Sequence, residues 1–268
     1  MSSFTTHHTA RHSQAKFSFR HPRTPRTHTH TFHRSLFLAD TARPAAPVSM
    51  SAKLRATRRW LDRIVIGQRL CPFAPPVRAP PHLNLLVSRA DDTDGIVREV
   101  AAAAAALRRG IDDPTLAPAA GETTLLILDE AVGGHPLSWR DLISLSWRLQ
   151  EEAILEGGHG EQLQIVLFHP NATHTTYIED GAPADAGDFS IRAPFPTVQL
   201  LREIDVLRAV QSYPGADAIP ARNRVRLRAQ GLAACEERLR GCGLENDPEQ
   251  VGQAADAPTI AHSGAEGG

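Results

Sequence analysis

A chain of 268 residues, 41% hydrophobic, can bury one sizeable core of roughly 150 to 200 residues and not two. A formal charge of -1 excludes bulk electrostatic attraction to nucleic acid or an anionic membrane, and no apolar run approaches the roughly 20 residues that span a bilayer. Three scattered cysteines, Cys71, Cys235 and Cys242, exclude a disulfide framework and fit a reducing compartment.

Residues 1–49 are rich in Ser, Thr, His, Arg and Pro, with no acidic residue before Asp40, and a disordered leader is expected there. One reading is a plastid or mitochondrial transit peptide, for which Phe32 to Leu38 offers a short apolar patch. The other takes Met50-Ser-Ala-Lys, directly before the first helix, as the start, with the upstream residues an over-extended gene model. The leader lacks an amphipathic segment, which favours the second reading and a cytoplasmic protein. His7, His8, His28 and His30 in this leader read as incidental, not as metal ligands.

Leu54 to Arg69 is the first expected helix, with Leu54, Leu61, Ile64 and Val65 at helical spacing. The proline-dense connector Cys71 to Pro81 is expected to be extended, fixing Cys71 and Phe73 against the domain. His82 to Ser88 reads as a strand, Gly95 to Arg109 as an alanine-rich helix capped by the preceding aspartates, and Thr123 to Asp129 as a second strand. Ser138 with Asp141 resembles a capping box for a helix from Trp139 to Leu155. Leu163 to Phe168 is an apolar strand that stops at His169-Pro170. An ordered excursion over 170–197 follows, then a helix from Thr197 to Ser212 begun by Pro196, and a last helix from Ile219 to Leu239. Cys235 and Cys242, two turns apart on that helix, read as filler or free surface thiols.

Strand and helix alternate, so the expected fold is a single α/β domain over 50–240. A small, mostly parallel sheet of about three strands is flanked by helices, with extra C-terminal helices, and an α+β sheet with one antiparallel strand is the alternative. The tail, 241–268, is polar and rich in Gly and Ala, and is expected to be disordered.

Parallel strands would put Ser88, Asp129 and His169 on one edge, where ligands of open sheets bind. His169 is the leading candidate there, as a proton donor, acceptor or ligand, against the alternative that its ring satisfies backbone groups at a fraying strand end. Cys71 invites a nucleophile reading with His169 as base, yet a thiol just past a helix C-terminus feels the negative end of the dipole, which favours a buried structural cysteine. Arg192, Arg202 and Arg222 bracket the post-strand region and suit a carboxylate or phosphate, while each alone reads as a surface cation. The series Arg222, Arg224, Arg226, Arg228 turns around a helix and reads as solvated. Cys71, His169, His174 and Asp185 lack metal-ligand spacing, so no metal is assigned, and the sequence leaves any cofactor open.

Several segments, in order, carry a resemblance: Trp60-Leu-Asp-Arg-Ile-Val-Ile-Gly67, Leu70-Cys-Pro-Phe-Ala74, Glu122-Thr-Thr-Leu-Leu126, Phe168-His-Pro170, Arg192-Ala-Pro-Phe-Pro196, Leu200-Leu-Arg-Glu203, Tyr213-Pro214 and Ile219-Pro-Ala-Arg-Asn223. Together they resemble a family of bacterial and plastid-type proteins catalogued as domain of unknown function 1415. The likeness covers about residues 57–230 and implies one compact domain but no reaction. Where that family has an Asn-Arg-Ser-Pro-Tyr-Pro type of segment, this chain has Ile191-Arg-Ala-Pro-Phe-Pro196, leaving Arg192 as the polar member. Asp129 and Glu130 fall outside the shared segments. The candidate site is therefore His169 and Cys71 for catalysis, with Arg192, Arg202 and Asn223 for binding.

Three functions compete at this point. The first is a domain or enzyme that takes a small anionic molecule in a pocket around His169, with no nucleic acid or membrane partner. The second is a non-catalytic protein-interaction domain, and the third a thiol redox protein centred on Cys71.

Overall fold

The computed structural model describes residues 48–113, 115, 122–175 and 184–243. The leader expected over 1–49, apart from its last two residues, and the tail expected over 241–268, apart from its first three, lie outside the described residues. Helix α1 (Met50–Trp60) begins where the Ser49 side chain accepts a hydrogen bond from the Ala52 N–H, and runs without a break into a π-helical stretch, Leu61–Ile66. The Cys71–Pro81 connector is not extended throughout. Ala74–Val77 forms a single helical turn, α2, whose two prolines occupy first-turn positions where no N–H is needed.

The main sheet has the strands β1 (Leu83–Val87), β2 (Thr123–Ile127), β5 (Leu163–Phe168) and β6 (Thr197–Arg202), in the order β1-β2-β6-β5. Helix α3 (Thr93–Asp112), capped by Asp92, links β1 to its parallel neighbour β2. A small hairpin, β3 (Ala131–Val132) and β4 (His135–Pro136), precedes helix α4 (Trp139–Arg148). The expected capping box of Ser138 and Asp141 starts α4, which continues as a π-helical segment, Leu149–Leu155. Helices α5 (Glu203–Ser212), α6 (Ile219–Gln230) and α7 (Leu232–Arg240) close the described chain.

The mixed helix-and-strand class is as expected, and the sheet inside it follows the α+β alternative, with β6 the one antiparallel strand, in place of a mostly parallel sheet. Four strands replace three, and the sheet is mostly antiparallel, with β1 and β2 the one parallel pair. The extra strand is Thr197–Arg202, which the sequence reading placed in a helix. Val198, Leu201 and Ile204 happen to fall at helical spacing because the strand passes into α5 at Glu203 without a break. The alternation within it tells otherwise: Val198 and Leu200 join the core on one face, while Gln199 and Leu201 point to the other. β6 lies antiparallel between β2 and β5, so the three expected strands still share one direction, and Ile127 and Phe168 both lie opposite Thr197. Their carboxyl ends meet on one edge.

Each sheet face carries its own core. On one, Leu126, Val198, Leu200, Leu163 and Ile165 pack against Ile96, Val100 and Leu107 of α3 and against Leu142, Leu149 and Ile154 of the fourth helix and its π-helical extension. On the other, Leu83, Leu125 and Phe168 meet Trp60, Leu61 and Ile64, together with Leu227, Cys235 and Cys242 from the C-terminal helices. Both of these cysteines are buried, unlike the surface thiols allowed for above, because the last helix breaks at Gly231 (φ 86°), turning α7 back onto the sheet. Lys53, only 3% exposed, reaches from α1 to the Leu128 carbonyl (3.5 Å) and to Asp129, tying that helix to the end of β2. Among the described residues no helix is long and apolar enough to cross a membrane.

Candidate functional site

The second face of the sheet is not fully covered. Between it, the π-helical turn after α1, the 70–78 segment and the inner side of α5 lies a cavity of about 630 Å³, within the range that small-molecule sites occupy. Its lining is mostly apolar, with Leu125, Leu201 and Phe168 from the sheet, Leu61 and Val65 from the π-helical turn, and Val206 and Ala209 from α5. The Trp60 and Phe168 rings meet edge to face at 5.2 Å, and Phe73 and Tyr213 do the same at 5.6 Å, which braces the wall at both ends.

Three of the five candidate residues, Cys71, Arg192 and Arg202, line this cavity. Arg192 follows the short 3₁₀ helix Ala186–Ser190, and its guanidinium carbon lies 4.5 Å from the Phe189 ring centroid. Its Nε donates to the Ala172 carbonyl at 3.0 Å, and its own carbonyl accepts the Trp60 indole N–H at 2.9 Å. Its terminal nitrogens bond to none of the described residues, and it forms no ion pair among them. Burial pushes its pKa down, against the fields of Asp188, Glu236 and Cys235. A half-buried cation without a contacting counter-charge is costly, and an anionic ligand would relieve that cost. Arg202, by contrast, is already paired with Asp205 at the head of α5.

His169 and Asn223 do not line the cavity. The His169 ring is 4% exposed, and both of its nitrogens are engaged by backbone: Nε2–H donates to the Leu137 carbonyl (2.8 Å), and Nδ1 accepts the Asn171 N–H (3.0 Å). That pattern fits the neutral ring, and burial pushes its pKa down, with the nearby Arg192 charge adding to the shift and the Leu137 bond opposing it. The Trp139 ring lies 6.1 Å away. The strand end thus delivers His169 to the sheet edge as expected, but the segment between the hairpin and α4 covers that edge. Asn223 is buried and donates to the Leu70 carbonyl at 2.7 Å, while Arg226 bonds the Gln68 carbonyl. These bonds pin the turn that carries Arg69, in left-handed conformation (φ 54°), and so fix the wall formed by Leu70 and Cys71.

Burial pushes the Cys71 thiol up, opposed by the Phe73 and Ala74 N–H groups, and no imidazole or guanidinium contributes to its environment. The chemistry around it is that of a wall residue. Arg222 lies over the Tyr213 ring at 5.8 Å, His174 bonds the Ser190 hydroxyl, and Asp185 pairs with Arg228. Among the described residues no group of three His, Cys, Asp or Glu side chains is placed to hold a metal ion.

The sequence reading missed Gln199, Thr123, Leu201 and Phe168 as cavity floor. The alternation in Thr197-Val-Gln-Leu-Leu-Arg202 was the available signal, since a strand reading puts Gln199 and Leu201 on the same face.

Fold and cavity define a mixed α/β domain with an apolar pocket on one sheet face and an arginine at its wall. The chain belongs to the family described as Protein of unknown function (DUF1415), whose model matches residues 52–237. No curated protein and no solved structure matches the chain.

Proposed function

We propose that the cavity binds a small organic anion with a substantial apolar body. The charge sits at Arg192, and the apolar part lies over Leu125, Leu201 and Phe168. The observation that carries this reading is the half-buried guanidinium of Arg192, which has no ion-pair partner among the described residues, at the wall of a mostly apolar cavity of about 630 Å³. Cys71 is wall, Asn223 positions that wall, and His169 braces the sheet edge and transfers no proton. Arg202 has a smaller part, because Asp205 already neutralises it. Decanoate and the neutral decanol, titrated calorimetrically into the protein, test the proposal. Decanoate should bind tighter than decanol, and Arg192→Gln should lower its affinity at least about tenfold, as expected for loss of a charge-assisted bond. Equal binding of the two probes, or an Arg192→Gln variant that binds decanoate as the wild type does, overturns it.

Protein interaction is the alternative, favoured by Ile204, Leu207 and Val210, three exposed apolar side chains spaced along α5. A Leu207→Asp variant that loses a co-purifying protein while keeping decanoate binding would support it. The thiol redox function has no support in the surroundings of Cys71, where nothing stabilises a thiolate beyond two backbone N–H groups.

A further inference from the structure

The floor of the cavity carries a polar group whose orientation is fixed by its neighbours. The Thr123 hydroxyl has one proton and donates it to the Leu200 carbonyl at 2.8 Å, a partner that only accepts. That hydroxyl can then only accept from Gln199, 3.0 Å away, so the Gln199 amide turns its nitrogen toward Thr123. The Gln199 Oε1 is left pointing elsewhere and is bonded to none of the described residues. Gln199 lines the cavity between Leu125 of β2 and Val166 of β5, its neighbours in register. The result is an acceptor with no bond among the described residues, the second amide N–H beside it, set between the apolar side chains of Leu125 and Leu201, with the carboxylates of Glu122 and Asp205 elsewhere in the lining. Covering it with hydrocarbon would strip its water and return nothing.

Resting on the reading of the cavity as an anion site, we infer that its ligand carries a hydroxyl on the apolar body, and that Gln199, oriented by Thr123, selects for it. Arg192 holds the acid group, and Gln199 Oε1 accepts the ligand hydroxyl proton. The ligand class is a hydroxylated apolar acid, not a plain one. Thr123 is a positioning residue, acting only through the amide it orients.

Calorimetric titration of the full chain with decanoate and with the complete series of monohydroxydecanoates tests this. At least one isomer should bind about three- to tenfold tighter than decanoate, the size of one added hydrogen bond. Gln199→Leu should erase that preference, read as the ratio of monohydroxydecanoate to decanoate affinity within the variant. Thr123→Val, which frees the amide to rotate, should weaken the preference, and Thr123→Ser should restore it, a split that a merely structural role for Thr123 would not produce. Decanoate binding with no isomer preferred, or a preference that survives in Gln199→Leu, overturns this inference and leaves the anion site standing. Failure of decanoate itself to bind overturns both.

Discussion

Replacing His169 with alanine removes the partners of two backbone groups at once, the buried Leu137 carbonyl and the part-buried Asn171 N–H. Each buried group left without a bond costs about 1 to 3 kcal/mol, and the space vacated by the ring adds to that, so the variant should lose about 3 to 5 kcal/mol. For a folded domain of this size the loss lowers the melting temperature by roughly 8 to 15 °C, measurable by circular dichroism at pH 7.5. His169→Gln keeps a donor within reach of Leu137 and should recover part of the loss. The pH dependence has a defined sign. Burial lowers the folded-state pKa below the ordinary imidazole value near 6.5, so the unfolded chain binds the proton more readily. The stability contributed by the neutral ring is full above about pH 6.5 and is lost as the pH falls from there through the folded-state value. The gap between wild type and His169→Ala should therefore narrow from pH 7.5 to pH 5. Below its melting temperature the variant should still bind decanoate. A melting temperature within about 2 °C of the wild type, the range of ordinary surface changes, would refute a bracing role for this ring.

Asn223→Ala should cost about 1 to 3 kcal/mol by orphaning the Leu70 carbonyl, and should weaken decanoate binding because the wall at Leu70 and Cys71 loosens, as denaturant melts and calorimetry would show. Arg228 and the Gly187 N–H hold the Asp185 carboxyl at about 2. Its contribution is present above the unfolded value near 3.8 and lost as the pH falls from there toward 2, so Asp185→Asn should flatten the acid limb of a stability profile in that window. Lys53→Met should leave stability unchanged or raise it, since a thioether suits the site beside the Phe195 ring. Asp129→Asn should cost about 1 to 2 kcal/mol, because it leaves a buried ammonium with little but the Leu128 carbonyl, an effect reduced by the half-exposure of Asp129. Chemical denaturation of both variants reads the difference.

The sequence showed three strands of one direction because Leu83–Val87, Thr123–Ile127 and Leu163–Phe168 are short apolar runs bounded by turn residues or long helices. It hid the fourth because Thr197–Arg202 flows into α5 and its apolar spacing fits both periods; only pairing with β2 and β5 decides between them. That single strand moved the candidate site. With β6 filling the middle of the sheet, the pocket lies over a face floored by Gln199 and Leu201 and not at the edge beside His169. Arg192 stood out in its segment as a candidate, and it lines the cavity. Which of its nitrogens stay unbonded depends on Ala172 and Phe189, contacts across the excursion that no spacing rule encodes. The stop at His169 marked a real strand end. Whether a strand end is open or covered is decided by what folds over it, here the residues leading into α4.

Cys71 offers the most direct reading of the cavity, since Cys235 and Cys242 are buried and Cys71 stands in its wall, only partly buried. The rate at which a thiol reagent modifies Cys71 in the native protein should fall severalfold when decanoate is added to saturation, and the same addition should leave the rate unchanged in Arg192→Gln. A Cys71 rate indifferent to decanoate in the wild-type protein would contradict an anion site in this cavity.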